Sequence, residues 1–291
     1  MISSEGRFLG KQVDYPQQYA PEMLIAVPRH YNREQYNLNA DELPFIGYDV
    51  WHAYELSFLT MNGLPVTGLL KLVYSATNPS IVESKSLKLY LNSFNMHRFG
   101  QNAGEGIKKV LELIKKDLTK LLEIEVQLGF FQQEERNAPS DFENFDLLEN
   151  KDFVDNIIFD HFTEAPQLLI ESENAGSLKV ATHLLRSNCK ITHQPDWGSA
   201  FIYINGNKLP TQESLLQYLV SIRNESHFHE EICEMIYKRL WDIFKPDELA
   251  VTCIYTRRGG IDICPIRVSH KDLIPFNLVN AQKMSVKLLR Q

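Results

Sequence analysis

Between Pro65 and Phe130 the apolar residues of this chain change period twice, and the same changes recur in the same order between Leu178 and Ile263. The β-branched and aromatic run from Pro65 to Ala76 reads as a strand and ends at the turn signal Asn78-Pro79. Leu87, Tyr90, Leu91 and Phe94 then fall at i, i+3, i+4 and i+7. Ile107, Val110, Leu111, Ile114, Leu118 and Leu121 continue that spacing, so two amphipathic helices follow, the first beginning near Ser84. Ile124, Val126, Leu128 and Phe130 return to a period of two, the mark of a half-buried strand.

In the second half Leu178, Val180, Thr182 and Leu184 alternate, and the run from Ser199 to Ile204 reads as a strand meeting a turn at Asn205-Gly206. Thr211 is placed to cap a helix reaching about Ile222. Ser226 is placed to cap another, which carries Ile232, Ile236, Leu240 and Ile243 and stops at Pro246. Leu249, Val251, Cys253 and Tyr255 alternate again, and Ile261 and Ile263 follow Gly259-Gly260 in a further strand. Strands, two helices and strands, twice over, predict an α+β protein with a structural duplication, although no residue-level repeat accompanies it.

The halves are joined by a segment from Gln132 to about Asn174, longer than a routine connection. The chain therefore divides into residues 1–131, an acidic insertion or linker at 132–175, and residues 176–291. From Gln132 to Pro166 ten carboxylates face only Arg136 and Lys151, a net of −8 that leaves the rest of the chain at +1 of its overall −7. Phe142, Phe145, Phe153 and Phe159 favour partial packing of that segment. With no basic stripe, direct docking on nucleic acid is not expected. No run approaches the ~20 apolar residues of a membrane helix, and Glu5, Arg7, Lys11 and Asp14 interrupt the first twenty positions, so a cytoplasmic protein is expected. Cys189, Cys233, Cys253 and Cys264 lack paired spacing and read as reduced thiols.

Reactive residue types are densest from Ser187 to Gly198. Cys233 and Cys253 sit on apolar faces, whereas Cys189 lies in a polar stretch between strands, beside Lys190 and His193. A thiol of pKa ~8.5 becomes a nucleophile where neighbouring cations or donors favour the thiolate. Asp196, between Pro195 and Trp197-Gly198, is either a turn residue or a carboxyl whose burial beside the indole raises its pKa and lets it act as an acid. Glu230 falls in the first turn of a helix opened by His227-Phe228-His229, where a carboxylate is electrostatically welcome and can grip the donor edge of a guanine-like base. Glu83-Ser84-Lys85-Ser86-Leu87-Lys88 opens the first helix with backbone N–H groups and two lysines suited to a phosphate, and Arg257-Arg258-Gly259-Gly260 offers two guanidiniums beside a turn. No G-x-G-x-x-G follows a strand, so Rossmann-type nucleotide binding is not supported. Cys189-x3-His193 with His227-x-His229 also offers four zinc ligands, at unusual spacing and from separate elements.

Taken in order, Glu83 to Asn95, Ser187-Asn188-Cys189, His193 to Gly198, Phe228-His229-Glu230 and Tyr255 to Gly260 resemble the long form of the 7-cyano-7-deazaguanine reductases, the nitrile reductases of queuosine biosynthesis. The resemblance runs from Val27-Pro28-Arg29 to Arg267. It implies a tunnelling fold of two tandem ββααββ units, a homodimer, NADPH as cofactor and no resident metal. It implies that Cys189 adds to the nitrile carbon while Asp196 protonates the nitrogen. The resulting thioimide is reduced by one NADPH and the released imine by a second, with His229 donating a proton or orienting. Glu230 and His229, with Ser84 and the backbone at Val82 and Glu83, would hold the substrate; Ser84, Lys85, Arg258 and Gly259 would hold the cofactor. One departure is Ile263-Cys264-Pro265-Ile266-Arg267, where the family has Asn and Trp at 264 and 266; its expected consequence is for packing and subunit contacts. The alternatives are a zinc-dependent purine or pterin cyclohydrolase of the same fold, distinguished by stoichiometric zinc, and a non-catalytic purine or pterin binder, distinguished by binding without NADPH oxidation.

Overall fold

The first half folds as β1 (Ala26–Pro28), α1 (His30–Gln35), β2 (Ile46–Leu59), β3 (Pro65–Ser75), β4 (Ser80–Val82), α2 (Ser84–Asn92), α3 (Ala103–Leu122) and β5 (Gln127–Phe131). The second folds as β6 (Asp146–Leu147), β7 (Gly176–Thr182), β8 (Arg186–Cys189), β9 (Pro195–Gly206), α4 (Gln212–Ser221), β10 (Ser226–His227), α5 (His229–Phe244), β11 (Glu248–Tyr255), β12 (Ile261–Val268) and α6 (Phe276–Val279). This computed structural model describes residues 15–132 and 138–291. Glu5, Arg7, Lys11 and Asp14, which enter the argument against a leader, lie outside the described residues, as do residues 133–137 of the acidic segment. The mixed α+β class read from the sequence is the class observed.

The main sheet runs β7-β9-β11-β12-β2-β3-β5, with every neighbouring pair antiparallel. β12 pairs with β2 along its whole length, from Ile261 opposite Ala53 to Val268 opposite Ile46, so the two halves share one sheet. Alternation decides what each face meets. On one face Trp51, Leu70, Leu72 and Ile263 pack against α2 and α3, and Ile202, Val251 and Cys253 against α4 and α5. On the other, Val50, Val73, Cys264 and Ile266 are covered by Leu278 and Ala281 after β12 and by Phe142 and Phe145 of the acidic segment. The α3 stripe Val110, Ile114, Leu118 and Leu122 is almost wholly buried, each side chain contributing roughly 1.5–3 kcal/mol.

Thr211 caps α4 as expected, its Oγ1 accepting from the Ser214 amide at 3.2 Å. Three local expectations are corrected. Ser226 lies in β10 and does not cap α5; the Glu231 carboxylate accepts from the Phe228 amide instead, at 3.0 Å. β9 continues through Asn205-Gly206, which pair with Ser177 and Gly176, so that dipeptide is not the turn. β5 is covered on both sides: a Cβ at Gly129 would stand 1.8 Å from the Ala281 carbonyl oxygen. Beside it the buried Lys71 donates to the carbonyls of Asn277, Asn280 and Lys283, and burial pushes its ammonium down to about 8. The acidic segment is packed where it is described. β6 pairs with β7, Leu148 is fully buried, and the Phe142 ring lies 4.3 Å from that of Phe201. No helix among the described residues is long and apolar enough to cross a membrane.

Beneath the helix layer lies a buried cluster of charges. Arg267 donates to Glu234 at 2.8 Å and to Asp49 at 2.9 Å, Arg33 donates to Glu234 at 2.8 Å, and Arg29 pairs with Asp49. All five side chains are at most a few per cent exposed. The cluster ties α1, β2, α5 and β12 together. Removing one partner leaves charge without compensation in a low-dielectric interior, which costs about 3–5 kcal/mol. Glu234→Ala is therefore expected to lower the thermal midpoint by roughly 10 °C. A midpoint within about a degree of the native protein by scanning calorimetry would show that the cluster relaxes without cost.

Candidate active site

Cys189 is the last residue of β8 rather than part of a loop between strands. Its amide donates to the Gln194 carbonyl at 2.8 Å and its carbonyl accepts from His193 at 2.9 Å, closing a tight connection in which His193 takes a positive φ of 53°. β10 runs parallel to β8 with His227 opposite Cys189, which carries the chain directly into α5. The sulfur-bearing residue thus stands beside the N-terminus of that helix. Lys190 pairs with Glu231 at 3.1 Å, and His193 Nδ1 lies 3.4 Å from Ser226 Oγ.

Asp196 is the second residue of β9, opposite Ser187, so it belongs to a strand and not to a turn. Its Oδ1 accepts from Arg258 at 2.5 Å and its Oδ2 lies 3.4 Å from His229 Nε2. Trp197 points the other way along the strand, where Arg186 and Arg223 lie over its ring, so the indole does not shield Asp196. Burial pushes the Asp196 carboxyl up, but the hydrogen bond and charge of His229 and the guanidinium of Arg258 outweigh it and hold the group below the usual carboxylate range. The resting group is a carboxylate, which corrects the expectation that burial would keep it protonated.

The reverse holds at Glu230. Burial first, and then the Asp49 carboxylate behind it, push its carboxyl up to about 8. Only 2% of the residue is exposed, and Oε1 has no hydrogen-bond partner. Burial overrides the welcome that a helix N-terminus gives a negative charge. His229, one residue earlier, stacks on Tyr255 with ring centroids 3.8 Å apart, and its buried Nδ1 is also unpartnered.

At the start of α2 the Glu83 carboxylate accepts from the amides of Lys85 at 3.1 Å and Ser86 at 2.6 Å. That cap occupies amides that the sequence offered to a phosphate. Glu83's own amide donates to Ile25, and its carbonyl accepts from Leu87, so its backbone is committed within the protein. Facing α2, the turn from Arg257 to Gly260 places Gly259 and Gly260 at positive φ, and Lys88 Nζ donates to the Gly259 carbonyl at 2.7 Å.

These elements enclose a cavity of about 310 Å³, near the lower end of the range for small-molecule sites. The structure brings Val82, Ser84, Lys85, Cys189, Asp196, His229, Glu230, Arg258 and Gly259 to its wall. Of the site residues read from the sequence, Glu83 alone is not on that wall. Lys88, the second lysine of the phosphate-suited segment, lines it too, as do Trp51, Thr192 and Gln194, which were not singled out in the sequence. Lys88 follows Lys85 by three residues and Ser84 by four, a helical spacing that puts all three on one face. Cys189, His193, His227 and His229 form no ligand cluster; among the described residues the close set is His52, Asp262 and Cys264, buried on the opposite face of the sheet.

A recessed thiol, an ionised carboxylate, an imidazole and a carboxyl with an unfilled oxygen share the wall of one cavity, a set able to bind and act on a small polar ligand. Lys85, Lys88 and Arg258 add the charge that a phosphate-bearing second ligand requires, and so fit a dinucleotide cofactor through side chains. The family model described as "Nitrile reductase, 7-cyano-7-deazaguanine-reductase N-term" matches residues 15–130, and that described as "QueF-like protein" matches residues 195–273. The chain is 41% identical to the NADPH-dependent 7-cyano-7-deazaguanine reductase of Colwellia psychrerythraea, over 92% of this chain and 93% of that protein. It is 40% identical to the enzyme of that name from Coxiella burnetii, over 89% and 90%. The chain belongs to the 7-cyano-7-deazaguanine reductase family.

Proposed function

We propose that this protein reduces the nitrile of 7-cyano-7-deazaguanine to an aminomethyl group with two molecules of NADPH, through a thioimide on Cys189, in queuosine biosynthesis. The observation that carries this reading is the convergence of Cys189, Asp196, His229 and Glu230 on one cavity whose wall also holds Lys85 and Arg258. Because the resting Asp196 is ionised, it must gain a proton before giving one. The Cys189 thiol is the source: its proton passes to Asp196 as sulfur bonds to the nitrile carbon, and Asp196 hands it to the nitrile nitrogen. One carbon–nitrogen π bond breaks, one carbon–sulfur bond forms, and no proton is drawn from solvent. NADPH, when bound, supplies one hydride in each of two rounds, four electrons in all. Between the rounds the carbon–sulfur bond breaks and frees Cys189. His229 Nε2 faces Asp196 and is placed to resupply its proton.

Glu230 holds the amino and ring N–H donors of the deazaguanine edge, which favours its ionised form. The free carboxyl is raised to about 8, so below that pH binding must expel a proton. Substrate affinity is expected to rise about tenfold per unit from pH 6 to 8 and then level. Titration calorimetry in two buffers of different ionisation heat checks this; proton release of zero at pH 7 would contradict it, and Glu230→Gln should show none. Lys85→Ala is expected to raise the KM for NADPH several-fold more than that for the nitrile, and added salt to mimic part of the loss. Equal changes in both constants would count against a cofactor role.

The same reading assigns the chain to the tunnelling fold, with units at 1–131 and 176–291 and a homodimer as the working form. The antiparallel strands backed by α2 and α3 and by α4 and α5 support it. A cytoplasmic setting suits the four free thiols, and the acidic balance suits a small substrate over direct RNA contact. The test is NADPH absorbance with 7-cyano-7-deazaguanine: two cofactors consumed per nitrile are expected, whereas no oxidation, or activity that depends on added zinc, would overturn the proposal.

A further inference from the structure

Arg258 has more than one claim on it. Its guanidinium donates to Asp196 at 2.5 Å, to Thr192 Oγ1 at 3.0 Å and to Gln194 Oε1 at 2.6 Å, bridging from its turn to the hairpin that carries Cys189. The side chain is 37% exposed while the Asp196 side chain is 6% exposed, so the cation can turn away but the carboxylate cannot follow it. Arg258 stands on the same wall as Lys85 and Lys88. A phosphate held by those lysines would compete with Asp196 for the one guanidinium between them.

We propose that Arg258 is a positioning residue that couples cofactor occupancy to Asp196: with the cofactor absent it holds Asp196 as the base that takes the Cys189 proton, and with the cofactor bound it moves to phosphate and leaves Asp196 able to keep a proton for the reduction steps. This rests on the cofactor placement given above. The charged and titratable groups on the same cavity wall are His229, His227 and Glu230 from α5, Lys85 and Lys88 from α2, and Cys189 from β8. His227 is engaged by Glu231 at 3.3 Å, and Glu230 makes no ion pair among the described residues. His229 stays beside Asp196 in both states, so what changes is the loss of the one strong cation. Coupling is reciprocal: whatever Asp196 gains in proton affinity when the cofactor binds, the cofactor gains in affinity when Asp196 is neutral.

An unusual expectation follows. Asp196→Asn, which removes the competing charge, should bind NADP+ about three- to ten-fold more tightly than the native protein at neutral pH, even as it loses turnover. In an Arg258→Gln background the same Asp196→Asn change should leave NADP+ affinity unaltered, closing a double-mutant cycle with a coupling of that size. The measurement is titration of NADP+ by intrinsic fluorescence, with calorimetry for protons: native protein should take up more protons on binding at pH 5 than Asp196→Asn does. Unchanged or weaker NADP+ binding by a folded Asp196→Asn protein would overturn the proposal, as would an equal effect of Asp196→Asn with and without Arg258. Failure of the native protein to bind NADP+ at all would instead overturn the cofactor reading on which the proposal stands.

Discussion

Cys189→Ala is expected to lower turnover by roughly 10⁴-fold or more while leaving the fold and the affinity for 7-cyano-7-deazaguanine nearly unchanged. In the proposed mechanism the thiol supplies the covalent bond to the substrate, whereas the grip on the base is assigned to Glu230, on another element of the same cavity wall. Alanine removes one sulfur atom from the end of β8, and the backbone bonds of Cys189 to His193 and Gln194 persist. Cys233, Cys253 and Cys264 are wholly buried away from the cavity wall, so their alanine variants should keep the chemistry and lose stability through the small voids they leave. Single-turnover rates beside substrate titrations check both halves. Retention of a tenth or more of the native rate in Cys189→Ala would remove the covalent step.

Asp196→Asn should reduce turnover by about 10²–10⁴-fold, the usual worth of a positioned proton donor and acceptor. Asparagine preserves size and can still accept from Arg258, so thermal unfolding is expected to move little. The pH dependence has a definite sign. The folded carboxyl lies below its ordinary range, so the form that accepts the Cys189 proton is present at neutral pH and is lost only as pH falls through that depressed value. A substituted protein that forms the covalent adduct at the native rate would shift the proton transfer to His229, 3.4 Å from the Asp196 carboxylate.

The helices α2 to α5 and most of the long strands were legible because their patterns are local, whereas the short α1 and α6 were not read. Val110, Ile114 and Leu118 report a helix whatever packs on them, and Thr211 reports its own cap. β2 was not read, although it is the longest strand. A bulge between Ala53 and Leu56 interrupts its register, and its central residues are buried on both faces, which erases the alternation that marks a half-covered strand. The charge cluster was equally hidden, since Arg33 and Glu234 are 201 residues apart and each looks like a surface residue in its own window. At the cavity, residue types pointed to the chemistry but not to its electrostatics. Asp196 and Glu230 sit in similar polar stretches of sequence. One meets Arg258 across 62 residues and is held ionised; at the other, burial and Asp49 outweigh the opposing charges of Arg29 and Arg267 and push the carboxyl up to about 8. Protonation states of this kind depend on partners that only the fold brings together. The departures at Cys264 and Ile266 fall on the far face of the sheet, whereas Ile261 and Ile263 of the same strand line the cavity.

The most direct test of the central claim is the intact mass of the native protein after mixing with 7-cyano-7-deazaguanine in the absence of NADPH, under non-denaturing conditions. The mass should increase by that of the whole nitrile with no atom lost, on the peptide containing Cys189, with no increase in Cys189→Ala and reversal when NADPH is added. An unmodified native mass, at substrate concentrations shown by titration to saturate the site, would contradict it.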